Sequence, residues 1–184
     1  MKNQQTPEHI AKHMKLLHKL GLAQLSDPSD GTILNIIEAR TASGEVMMIP
    51  LTYGSQLEKQ IMFGELKKMF KAQNVIGFYT LTEAWNADIH QDDAAGQAKI
   101  KAHLAAGKSL ESFEGREEVM MVGYTSHEEN IVHSYAINRD AEDKFTHLGE
   151  VRVYSSKAGD PEAAGGAMTD LLPKPEDFTF TQIH

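Results

Sequence analysis

Residues 118–154, EVMMVGYTSHEENIVHSYAINRDAEDKFTHLGEVRVY, decide the fold of this chain. Three runs rich in β-branched, aromatic and other apolar residues, over 118–125, 131–138 and 144–154, are separated by two short polar segments. Short polar connections between such runs are typical of consecutive hairpins. We therefore predict an antiparallel meander of three strands.

The apolar pattern also predicts the register of the last two strands. Pairing Ile137 with His147 places His133 opposite Val151 and collects the apolar side chains on one face of the sheet. A slip of one residue would scatter them over both faces. His133 is therefore expected to be a partly buried histidine at the rim of the core.

The upstream part of the chain alternates helix and strand signals. The predicted elements are, in chain order, a helix capped by Thr6 and ending at Gly21, strands over 32–39 and 45–53, a helix capped by Ser55, and a strand over 75–85. Pro50 cannot donate a hydrogen bond to a neighbouring strand. The second strand is therefore expected at the edge of the sheet, or bulged near its end.

These elements predict an α+β domain over residues 1–154. Its sheet has about six mostly antiparallel strands, with two main helices packed on one face. Residues 86–115 are a long insertion with a short helix near 94–106, and residues 155–184 form an extended C-terminal arm. The apolar residues expected to dock this arm are Leu171, Leu172, Phe178 and Phe180.

The composition excludes several classes of protein. With 18 Lys+Arg against 26 Asp+Glu the net charge is −8, which disfavours a nucleic-acid partner. The absence of cysteine excludes thiol catalysis and thiolate metal sites, and it fits the cytoplasm. The apolar runs are too short for a membrane helix, and no phosphate-binding glycine motif occurs.

An acidic cluster follows the strand over 75–85. Asp88, His90 and Asp92 alternate along the chain, and a tight loop could bring them around one divalent cation. Glu83 or Asp93 would then be the base that activates a bound water, which predicts a metal-dependent hydrolase or nuclease. The alternative is a solvated acidic loop without any cofactor.

Glu83 and Trp85 are the candidates for a ligand pocket, because they end a strand where the long insertion begins. Aromatic side chains with one polar group are favoured at binding surfaces. The alternative for Trp85 is a packing role in the core.

Two further groups of histidines are weaker candidates. His9 and His13 are four residues apart on the first helix, a spacing that suits zinc, although no third ligand is identifiable. His127, Glu129 and His133 surround the first turn of the meander. For both groups a structural role is favoured over catalysis.

The hypothesis favoured by the sequence is a binding or regulatory module that acts through a homo-oligomer or a protein partner. Nine methionines, a predicted edge strand and an unpaired arm indicate interaction surfaces. Met47 and Met48 are adjacent in one strand, so only one of them needs to face the core. Residues 1–25 hold four Lys and one Glu, a net charge of +3, which leaves −11 on the remainder.

Overall fold

The structure is a computed structural model that describes residues 5–87, 93–108, 110–157 and 171–173. Its elements are α1 (Pro7–Leu25), β1 (Ile36–Thr41), β2 (Val46–Pro50), α2 (Gln56–Ala72), β3 (Val75–Ala87), α3 (Ala94–Ala105), a 3₁₀ turn (Leu110–Ser112), β4 (Arg116–Ser126), β5 (Glu129–Arg139) and β6 (Phe145–Lys157). The strands form one antiparallel sheet in the order β2-β1-β3-β4-β5-β6. The α+β class, the six strands and the meander are therefore confirmed, and β2 lies at an edge as Pro50 indicated.

The two long helices cover opposite faces of the sheet. Ile36 and Ile37 are neighbours in β1 and both are buried, as are Phe78 and Tyr79 in β3. Successive side chains of a strand point to opposite faces, so the centre of the sheet is covered on both sides. α1 packs on the face of Ile36 and Tyr79, here called the α1 face, and α2 packs on the α2 face with Ile37 and Phe78. The expectation that both helices share one face is wrong, because β1 and β3 are apolar on both sides.

α1 begins as predicted but ends later. The Thr6 side chain accepts a hydrogen bond from the His9 N–H at 3.3 Å, and Pro7 occupies the first turn. Gly21 does not end the helix, which runs to Leu25. Instead Gly21 is buried against β4, where an added Cβ would lie 2.5 Å from Met120 Sδ. The glycine therefore allows the helix to approach the sheet closely.

α2 begins with the predicted cap, where Ser55 accepts from the Glu58 N–H at 3.2 Å. Its buried side chains, Phe63, Leu66 and Phe70, pack on the α2 face. Leu171 and Leu172 join the same core, so the expected docking of these two residues is confirmed. Phe178 and Phe180 lie outside the described residues.

The predicted register between β5 and β6 is partly wrong. Near the turn Arg139 pairs with Phe145, in the predicted register, but two irregularities follow and each shifts the pairing by one residue. His133 consequently pairs with Val153 instead of Val151. Because two single shifts preserve the alternation of faces, His133 still lies on the α1 face with the apolar residues.

The insertion between β3 and β4 is shorter than predicted. β3 continues to Ala87 and β4 begins at Arg116, and α3 (Ala94–Ala105) confirms the expected short helix. No helix in the described part of the chain is long and apolar enough to cross a membrane.

Candidate functional site

Glu83 and Trp85 lie near the same end of the sheet, on the α1 face. The Glu83 carboxylate accepts the Ile33 N–H at 2.9 Å, and burial raises the pKa of Glu83, with Glu118 beside it adding to the rise. Trp85 stacks on the guanidinium of Arg116, which lies 5.1 Å from the ring centre. These contacts hold a loop and a strand end in place. A pocket lined by Glu83 and Trp85 stays a prediction.

Glu118 connects Glu83 to a half-buried ion pair with Arg139. Arg139 Nη2 lies 2.7 Å from Glu118 Oε1, and the same guanidinium donates to the Gly31 carbonyl at 3.3 Å. Hydrogen bonds from Arg139 lower the pKa of Glu118, while burial opposes this. The group fastens the loop before β1 to β3, β4 and β5, which is a structural role.

The proposed metal ligands Asp88, His90 and Asp92 lie outside the described residues. Asp93 caps α3, accepting the Gly96 N–H at 2.9 Å. Within the described ranges, no group of three His, Asp or Glu side chains could hold a metal ion. The metal-dependent hydrolase or nuclease therefore stays a prediction.

The histidine groups are separated by the fold. His13 is half-buried and its Nε2 lies 2.8 Å from Glu38 Oε2, whereas His9 is exposed. His133 lies along β5, where burial lowers its pKa. His127 lies in the turn between β4 and β5 and Glu129 begins β5. Both residues line a cleft that the sequence did not predict.

This cleft, here called the end cleft, has a volume of about 390 Å³. It lies between the start of α1 and the last row of residues across the sheet, in which Arg40 pairs with Gly77 and Gly77 with Ser126. Its lining residues are Gln5, Pro7, Arg40, Ile76, Gly77, Tyr124, Ser126, His127, Glu128 and Glu129. Such a volume is typical of small-molecule sites.

Gly77 keeps the floor of the end cleft open. A Cβ added there would lie 3.1 Å from the Thr125 carbonyl oxygen and 3.7 Å from Tyr124 Oη. A side chain at this position would therefore fill the space between Arg40 and Tyr124.

The Arg40 guanidinium is held by two contacts. Its Nη2 lies 3.4 Å from Glu38 Oε1, and Glu38 is 8% exposed. The Gln5 amide lies between Arg40 and Tyr79: with its oxygen toward Arg40 it accepts from Nε at 2.7 Å, and its nitrogen donates to Tyr79 Oη. These contacts fix Arg40 in one orientation at the wall of the end cleft.

A column of stacked rings supports the same wall. The His13 ring lies 4.2 Å from that of Tyr79, which lies 4.9 Å from that of Tyr124. Burial raises the pKa of Tyr124, and the charges of Glu129 and Glu128 add to the rise, while a hydrogen bond with Ser126 and the charge of Arg40 oppose it. Tyr124 therefore stays protonated at neutral pH and keeps a hydroxyl donor.

Only one local feature of the sequence points to this site. Arg40, Gly77 and Tyr124 lie on three strands, and only the pairing of those strands brings them together. The one local hint is the alternation of Glu38 and Arg40 in a strand whose other residues are mostly apolar. Charged residues that share one face of a mostly apolar strand are uncommon unless they are paired or functional.

The fold and the end cleft define an α+β domain with an open cleft that is lined by both polar and apolar surface. No protein-family model matches this chain, and comparison with curated proteins and with solved structures also found no match.

Proposed function

We propose that this chain is a binding module whose end cleft takes a small ligand through an anionic group, a carboxylate or a phosphate. The observation that carries the proposal is that Arg40 and Tyr124 both line the cleft, close enough for the charge of Arg40 to act on the Tyr124 hydroxyl group. A concave site with a few converging polar groups is the usual form of a small-molecule site.

The hydrogen bonds of Arg40 support this role. Arginine has five N–H donors. Gln5 accepts from Nε and Nη1 at 2.7 and 3.0 Å, and Glu38 accepts from Nη2 at 3.4 Å. Among the described residues these are its hydrogen bonds, so each Nη keeps one N–H. Two parallel donors on the Nη atoms match the two oxygens of a carboxylate or phosphate.

Glu38 helps to hold the Arg40 guanidinium in place but uses only one of its N–H donors. The second carboxylate oxygen of Glu38 is bound by His13 at 2.8 Å, so Glu38 contacts Arg40 through one oxygen only. A guanidinium that is already oriented loses less conformational entropy when the ligand binds.

The test is an NMR titration of backbone amides with inorganic phosphate and with acetate. We expect the amides of Gly77 and Ser126 to shift, and Arg40→Gln to weaken binding about tenfold or more, because a hydrogen bond to a charged group is lost. Arg40→Lys keeps the positive charge but lacks the paired N–H donors of a guanidinium. Its affinity for the anion should therefore lie between those of the parent chain and Arg40→Gln. Arg116→Gln, at the other end of the sheet, is the matched control.

Two results contradict the proposal. The first is equal affinity of the parent chain and Arg40→Gln, with circular dichroism showing both folded. The second is that neither anion shifts any amide around the end cleft at millimolar concentration.

A second candidate function is self-association through β2. The Leu51 N–H donates to the Asn35 carbonyl at 2.8 Å, so the odd-numbered residues of β2 bond to β1. The backbone groups of Val46, Met48 and Pro50 therefore point away from the sheet. Pro50 has no N–H, so one donor is missing at the end of this edge, and Met48 is 57% exposed.

We propose that a second copy pairs with this edge, antiparallel and centred on Met48. Light scattering after size exclusion should then show a dimer that Met48→Lys dissociates, because a charge at the centre of the pairing must be buried. Val153→Lys is the matched control on β6, at the opposite edge, where Val153 is 57% exposed. A monomeric parent chain, or a dimer that only Val153→Lys dissociates, contradicts this pairing.

These binding roles require neither a nucleic acid nor a cofactor. The cytoplasmic location expected from the sequence stays a prediction.

A further inference from the structure

We infer that the amine of Lys59 is a covalent site for small aldehydes, with which it forms an imine. Lys59 lies near the start of α2, after the loop that follows β2. The end cleft does not include it, so this inference goes beyond the functions proposed above. It follows from the position of this lysine, from the two aromatic rings beside it, and from the charges it does not meet.

Lys59 lies against aromatic side chains. It is half-buried, whereas the other lysines in the described part of the chain are exposed. Its Nζ lies 5.3 Å from the centre of the Tyr53 ring and 5.9 Å from that of the Phe63 ring. Phe63 belongs to the core beneath α2, while Tyr53 is 37% exposed. Since Lys59 itself is only half-buried, a small molecule can still reach its amine.

Within the described ranges, no carboxylate contacts the Lys59 amine. The carboxylate of Glu58, its neighbour in the chain, accepts the Gly54 N–H at 2.6 Å. Burial raises the pKa of the Tyr53 hydroxyl group, so this ring also brings no negative charge. Burial lowers the pKa of Lys59, although the attraction of a cation to the ring faces opposes this change. A larger share of this amine is therefore neutral near pH 7 than in an exposed lysine.

A neutral lysine amine in an apolar setting is the nucleophile that forms imines. Its nitrogen lone pair attacks the carbonyl carbon of the aldehyde, and the carbonyl oxygen takes a proton to give a carbinolamine. The oxygen then leaves as water and a C=N bond forms. In sum, one amine, one aldehyde and one proton give one iminium ion and one water.

The two rings favour this product over other adducts of the amine. The iminium ion keeps a positive charge, which the faces of Tyr53 and Phe63 stabilise. An acyl donor would give a neutral amide, and that contact would be lost. The site therefore suits an aldehyde better than an acyl donor.

The test is reductive trapping on the folded protein with propanal and sodium cyanoborohydride at pH 7. Hydride from the borohydride converts the iminium ion into a stable secondary amine, and peptide mass spectrometry gives the rate at each lysine. Lys68 in the same helix is the matched control, because it is exposed and pairs with Glu65 at 2.7 Å. We expect alkylation of Lys59 to be several-fold faster and to level off at a lower pH.

Two substitutions of Tyr53 separate the effect of charge from that of the ring. Tyr53→Glu places a carboxylate beside the amine, which favours the ammonium form. Tyr53→Gln removes the ring without adding a charge. We expect Tyr53→Glu to slow the alkylation of Lys59 several-fold relative to Tyr53→Gln, while Lys68 reacts at the same rate in both variants.

Three results would overturn this inference. The first is an equal rate of alkylation at Lys59 and Lys68 in the folded parent chain. The second is a difference that persists in the urea-unfolded chain, because the fold would then not be its cause. The third is selective acylation of Lys59 by an acetylating reagent without selective trapping of propanal. None of these results involves phosphate, acetate or self-association, so the functions proposed above would be unaffected.

Discussion

Replacing Gly21 by alanine should destabilise the protein although it improves the helix. Gly21 is inside α1 and faces the sheet, and its added Cβ would lie 2.5 Å from Met120 Sδ and 2.9 Å from Leu81 Cδ1. Both of these side chains are fully buried. Gly64, inside α2, offers a matched control, because a Cβ there meets no described atom within 4 Å.

The magnitude follows from two opposing effects. Alanine is favoured over glycine inside a helix by about 1 kcal/mol, and this gain applies to both variants. Overpacking a dense core costs about 1–3 kcal/mol, and this cost applies to Gly21→Ala alone. We therefore expect Gly64→Ala to raise the free energy of unfolding by about 1 kcal/mol. Gly21→Ala should lie about 1–3 kcal/mol below it.

Urea unfolding followed by far-ultraviolet circular dichroism measures both variants under one condition. The difference between them isolates the steric cost, because the helix propensity cancels. If Gly21→Ala is as stable as Gly64→Ala, the close approach of α1 to Met120 does not exist in solution. In a double-mutant cycle, a smaller cost of Gly21→Ala in the Met120→Ala background than in the parent chain would assign the cost to this contact.

The remaining predictions concern buried polar groups. Ser134 is 2% exposed, and its Oγ has no hydrogen-bond partner among the described residues. Ser134→Ala should therefore raise the free energy of unfolding by about 1 kcal/mol in the same urea assay. A loss of stability would show that Ser134 has a hydrogen-bond partner in solution. The pKa of Glu118 is lowered by Arg139, so its contribution to stability is present above the usual carboxyl range and is lost as pH falls through the lowered value. Glu118→Gln should cost about 2 kcal/mol at pH 7 and remove part of this acid sensitivity. The pKa of Glu83 is raised, so its contribution has the opposite sign: it is present at low pH and is lost as pH rises through the raised value. Melting temperatures of Glu118→Gln and Glu83→Gln, each taken from pH 3 to pH 8 as the difference from the parent chain, should therefore change with pH in opposite directions. Identical profiles would contradict the coupled arrangement.

Local signals predicted most of the elements of the fold. Thr6 and Ser55 predicted where the two long helices begin, because a side-chain oxygen next to free N–H groups acts within one turn. Pro50 predicted the edge strand, because a missing N–H is a property of the residue itself. Gly21 misled the prediction, since a glycine that ends a helix and a glycine that lets a helix approach a sheet have the same sequence signal.

The candidate site was much less predictable. Glu83 and Trp85 stood out because they are neighbours in the chain, and the structure gives both of them protein partners. Arg40, Gly77 and Tyr124 are each unremarkable in sequence. Their proximity depends on the pairing of β1 with β3 and of β3 with β4.

By itself, the sequence of this protein determined the α+β class and the meander of β4, β5 and β6, and it limited β2 to an edge or a bulged position. These features depend on interactions between residues that are close in the chain. Only the tertiary structure decided that α1 and α2 cover opposite faces, that two bulges shift β6 against β5, and that a cleft of mixed charge opens at one end of the sheet. These features depend on which side chains meet across strands, and the free energy of such contacts depends on packing between distant segments.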